Sequence, residues 1–96
     1  MTWYVVSYDL RGNESQEAYQ KIGAALKTAS DWCKPLLSHW IVETALTPSQ
    51  IIETLFKSGA IDDDDGLVVL ETTMRGQFRR IPSPAVEWLR ERVFTY

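Results

Sequence analysis

The 96-residue chain has a single cysteine, Cys33, and a single histidine, His39. One cysteine rules out an internal disulfide and fits a reducing compartment, so a cytoplasmic location is expected. A histidine with no second histidine or cysteine at ligand spacing rules out the common zinc sites. No apolar run approaches the roughly 18 residues that span a bilayer, and the N-terminus lacks the basic-then-apolar order of a signal peptide. A soluble, non-exported protein with no membrane partner is therefore expected. Glycine-rich phosphate loops, dinucleotide fingerprints and nucleophile elbows are also missing, which leaves Ser7, Ser38 and Cys33 without the setting of a catalytic nucleophile.

Excess positive charge is missing too. The net charge is −3, which argues against coating nucleic acid through bulk electrostatics. The charge is unevenly placed, however. Residues 1–74 hold five basic and eleven acidic side chains, whereas residues 75–96 hold Arg75, Arg79, Arg80, Arg90 and Arg92 against Glu87 and Glu91. Such a tail is either a local phosphate-binding patch or a solvated segment with compensating charges.

What is present suits one compact domain over 1–96. Apolar residues make up 45% of the chain, and four Trp, four Tyr and three Phe supply bulky core material. A chain of this length buries only roughly 60–65% of its unfolded surface, and dimerisation would add to that. The core is expected over 2–73, with a C-terminal appendage at 74–96.

"TWYVVSYDL" (2–10) reads as a strand, rich in β-branched and aromatic residues. Alternation puts Tyr4, Val6, Tyr8 and Leu10 on one face, assigned to the core, and Trp3, Val5, Ser7 and Asp9 on the other. After the polar loop "RGNES", Asn13 or Ser15 can cap a helix over 15–30. Its apolar stripe is Ala18, Tyr19, Ile22, Ala25, Leu26 and Ala29, with Lys21 and Lys27 outside it and solvated. Pro35 is expected to end that helix at "DWCKP".

"PLLSHWIVETAL" (35–46) reads as two short strands, or one bent strand, broken near Ser38 and His39. "TPSQ" (47–50) is a helix start, with Thr47 capping, Pro48 first and Gln50 completing a capping box. Ile51, Ile52, Leu55 and Phe56 form its buried stripe, and Gly59 stops it. "AIDDDDG" is a turn, "LVVLETT" a strand and "MRGQFRRIPSP" irregular. "SPAVEWLRERV" reads as a helix capped by Ser83 with Pro84 first and Val86, Leu89 and Val93 on one face. Two helices alternating with strands give an α+β chain of ferredoxin-like βαββαβ order, an antiparallel sheet with both helices on one face.

Among residues able to carry chemistry, Asp9 has two readings. At the C-terminal end of a central strand, beside a glycine-containing loop, its carboxylate can hold Mg2+ or Mn2+, and a symmetric dimer would add a second copy of it. It can equally accept hydrogen bonds from the following loop. Asp62–Asp65 lack the alternating spacing of a calcium loop and read as a solvated turn. His39 is either a general acid or base, or a structural strand residue. Trp3, Tyr8, Trp32, Trp40 and Trp88 can stack on bases or fill the core and a dimer interface.

"YVVSYDL", then a helix, "WCKPLLSHWIVETALTPSQI" and "DDDDGLVVLE" together resemble the CRISPR-associated Cas-two family, and more closely its stand-alone SinR-like relatives. The likeness covers roughly 3–72, with a weaker echo in "AVEWL" at 85–89. It implies a ferredoxin-like homodimer whose sheet faces meet and which associates with RNA or DNA. For the nuclease members it implies a divalent-metal-dependent endonuclease, with Asp9 as catalytic and metal residue and Mg2+ or Mn2+ as cofactor. For other members it implies a non-catalytic scaffold. Arg11, Arg75, Arg79 and Arg80 are the candidate nucleic-acid contacts. The chain departs from the family pattern where Arg11 stands alone before Gly12 and Asn13, and where Trp40 precedes Ile41-Val42-Glu43. No C-terminal strand that could swap to a partner is evident.

Overall fold

The computed structural model describes residues 1–11 and 16–94. Its elements run β1 (Thr2–Asp9), α1 (Gln16–Leu26), β2 (Asp31–Leu36), β3 (His39–Thr44), α2 (Pro48–Lys57), β4 (Gly66–Glu71) and α3 (Ala85–Arg92). The fold is α+β. The four strands form one antiparallel sheet in the order β2-β3-β1-β4.

The alternation expected of β1 is present. Tyr4, Val6 and Tyr8 are buried, and with Leu10 they pack against Ala18, Ile22 and Leu26 of α1 and Ile51 and Leu55 of α2. Trp40 and Val42 of β3 join them. Burying such side chains stabilises by about 1.5–3 kcal/mol each, which is why period-two and period-3.6 patterns converge on this one layer.

At α2 the sequence signals act together. Thr47 accepts from the Gln50 amide at 3.2 Å while the Gln50 side chain accepts from the Thr47 amide at 2.9 Å. Pro48 follows the cap, where a missing N–H costs nothing. Gly59 stops the helix with φ +77°, a conformation other residues rarely adopt. The buried stripe is narrower than expected, because Ile51 and Leu55 are buried but Phe56 is exposed.

Three expectations need correction. The first helix ends at Leu26, not near residue 30, and "DWCKPL" is strand β2. Pro35 does not stop a helix; it lies in an edge strand where the register shifts between Cys33 and Leu36, and there its missing N–H disrupts no regular ladder. Ser83 does not cap α3. The cap position falls on Pro84, one residue later, which has no side chain able to accept a hydrogen bond. The caps proposed for α1, Asn13 and Ser15, lie outside the described residues.

The C-terminal segment folds back on its own sheet. Met74 (φ +61°) and Arg80 (φ +56°) take left-handed backbone conformations as the chain leaves β4. Such conformations cost about 1 kcal/mol or more and persist where surroundings fix them. Met74 is so fixed: it is buried, its N–H bonds Thr72 Oγ1 at 3.1 Å, and its carbonyl accepts from Phe94 at 2.8 Å. Helix α3 then packs on β2, across the sheet from α1 and α2. The Trp3 and Trp88 rings meet edge to face at 5.5 Å, and Asp31 accepts hydrogen bonds from Trp88 and Arg92. No helix among the described residues is long and apolar enough to cross a membrane.

Candidate functional site

The sheet face bearing α3 is only partly covered. Residues opposite one another in an antiparallel pair share a face, so Val5 lies beside Leu70 and Ser7 beside Val68. Leu67 and Val69 point the other way and pack on the core. Val68 and Leu70 are left 52% and 62% exposed on the open face. Asp9 ends the same row of β1 side chains.

At that corner the Asp9 side chain is 69% exposed and pairs with the Arg11 guanidinium, Nε to Oδ2, at 3.2 Å. Asp65 is close by but otherwise engaged. Its carboxylate accepts the Arg11 backbone N–H at 2.8 Å and the Asp62 N–H at 3.0 Å, while Asp62 accepts from Asp64 at 2.9 Å. The Asp62–Asp65 run is therefore a turn knitted by its own carboxylates. Asp65 receives the Arg11 amide and Asp9 pairs with the Arg11 side chain; the rest of the loop expected to bond Asp9, residues 12–15, lies outside the described residues. Among the described residues no three His, Cys, Asp or Glu side chains gather as a metal-binding group. The Asp9 carboxylate is already ion-paired with Arg11.

The candidate arginines separate. Arg11 stays with Asp9. Arg75 and Arg79 help line a cavity of about 430 Å3 between the sheet and the C-terminal segment, with Val5, Ile41, Leu89 and His39 among its walls. Arg80 is exposed and outside that lining. His39 has its Nδ1 buried without a hydrogen-bond partner among the described residues. It stands opposite Ser7 in the β1–β3 register, but no hydrogen bond among the described residues joins the two, so no nucleophile–base pair is set.

The aromatic candidates are mostly structural. Tyr8 and Trp40 are buried and bonded to each other, indole Nε1 to phenol oxygen, at 3.0 Å. Burial pushes the Tyr8 phenol above its ordinary value, against the opposing effect of that hydrogen bond. Trp3 packs on Trp88. Trp32 is the exception, 37% exposed and tilted against Trp40 at 5.4 Å. Lys27 is exposed, as expected, with its ammonium over the Trp32 ring at 5.1 Å.

Comparison with protein-family models, with curated proteins and with solved structures found no match.

Proposed function

We propose that this chain is a homodimeric, nucleic-acid-associated module of Cas-two-like type, built on a ferredoxin-like fold, in which a second copy covers the open sheet face. The observation that carries this reading is the exposure of Val68 and Leu70 on that face. An edge strand normally carries protection, and β2 has it in Lys34 and Pro35; β4, "GLVVLE", has neither. A second copy is the fitting occupant because the surface is self-complementary in charge. The acidic turn Asp62–Asp64 precedes β4 and the arginine-bearing segment follows it, so a two-fold axis would set acid against base. The strand order β2-β3-β1-β4, with α1 and α2 on one face, supports the ferredoxin-like reading.

Scaffolding is the activity this geometry supports best, since the Asp9 carboxylate is already ion-paired with Arg11. The endonuclease reading keeps one observation in its favour: Asp9 is exposed at the end of a central strand on the face where a partner would sit. Two Asp9 carboxylates meeting across the axis would hold Mg2+ or Mn2+, which would polarise a phosphodiester. Incubating labelled RNA and DNA with either ion, using wild type and Asp9→Ala, separates the two. A scaffold binds and cleaves nothing in either form. Cleavage by wild type that Asp9→Ala abolishes would replace the scaffold reading with the nuclease.

A further inference from the structure

We propose that the cleft between α1 and β2 binds single-stranded nucleic acid, with a base stacked on Trp32 and the backbone phosphates on Lys27 and Lys34. The cleft, about 620 Å3, lies in one protomer, across the sheet from the dimer face. It gives the nucleic-acid part of the reading above a location, and it needs neither Asp9 nor the dimer.

The cleft is built by two regular elements. Gln16, Gln20, Gly23, Ala24 and Lys27 recur along one side of α1 and its last turn, while Trp32 and Lys34 share a face of β2 by alternation, with Trp40 as the floor. Its charged lining is entirely cationic among the described residues. On a chain of net charge −3 that is a local departure, and the pairing pattern sharpens it. Of the five basic side chains in residues 1–74, Arg11, Lys21 and Lys57 are ion-paired with Asp9, Glu17 and Glu53. The remaining two, Lys27 and Lys34, have no ion pair among the described residues, and both line this cleft. Lys27 lies 5.1 Å from the Trp32 ring centre, and Lys34 5.9 Å and 6.0 Å from those of Tyr19 and Trp40.

An exposed indole flanked by ammonium groups with no ion pair among the described residues is the arrangement that holds single strands: every base offers a flat face, and each phosphate a charge. Gln16 and Gln20 add amide donors and acceptors at the rim for base edges. A duplex fits poorly, because its bases are already stacked and paired.

Fluorescence anisotropy with labelled single strands of about twelve nucleotides tests this, with mass and circular dichroism as folding controls. Lys27→Glu with Lys34→Glu is expected to weaken binding by about tenfold or more and to flatten the slope of log affinity against log salt by about 1.4, the value for two lost phosphate contacts. Trp32→Leu is expected to weaken binding about fivefold or more while Trp32→Phe retains most of it. Lys57→Glu, on α2, is expected to change little. Full binding by the folded lysine and Trp32→Leu variants would overturn the cleft and leave nucleic acid bound elsewhere on the dimer. Failure of wild type to bind any single strand would overturn the cleft, and failure to bind duplexes as well would overturn the nucleic-acid reading.

Discussion

Asp31 and Arg92 meet in a 2.9 Å ion pair although 61 residues separate them in the chain. The other Asp31 oxygen accepts the Trp88 indole N–H at 3.0 Å. One carboxylate at the start of β2 thus fastens both turns of α3 to the sheet, and Cys33, two residues on, is buried beneath.

Asp31→Ala should therefore loosen α3. Both partners are about one-third exposed, so the loss is expected to be roughly 1–2 kcal/mol in urea unfolding, below that of a fully buried charged pair. Cys33 reports the same event. Its thiol, held above its ordinary pKa by burial, should react slowly with an aromatic disulfide reagent in wild type and several-fold faster in Asp31→Ala.

Acid should act on the same contact. Burial disfavours ionisation of Asp31, but hydrogen bonds from Trp88, Arg92 and the Trp32 amide outweigh it and hold the carboxyl below its ordinary range. The unfolded chain then takes up the proton more readily. This stabilisation is complete above the unfolded value of about 3.9 and is lost as pH falls through the lower folded value. Tryptophan fluorescence is expected to change below about pH 4, and Asp31→Asn should remove that component.

The capping box gives a simpler expectation. Thr47→Ala removes the side-chain acceptor of the Gln50 amide and should cost about 1 kcal/mol, seen as a lower urea midpoint with an unchanged slope.

The two carboxylates of the β1–β4 corner should behave differently. Asp9→Ala removes an exposed pair and should alter stability by less than about 1 kcal/mol. Asp65→Ala strips two backbone N–H groups of their acceptor and should cost more, about 1–3 kcal/mol. Equal losses in thermal unfolding would mean that Asp9 also holds the loop.

Much of this was legible in the residues. The faces of β1, the break at Ser38–His39, the Thr47–Gln50 box and the Gly59 stop follow from local rules that packing left intact. The boundary between α1 and β2 does not, because a proline such as Pro35 marks helix ends and edge strands alike. With "DWCKPL" read as a strand, alternation would have put Trp32 and Lys34 on one face. The pairings of Asp31 with α3 and of Asp65 with Arg11 link residues far apart in the chain, and no local pattern announces them.

A second copy on the open sheet face is tested most directly by the solution mass at micromolar concentration, measured by light scattering for wild type and for Val68→Asp with Leu70→Asp. The expected mass is about 22 kDa for wild type, twice the 11.0 kDa chain, and that of one chain for the folded double variant. A wild-type mass of about 11 kDa at every concentration would contradict it.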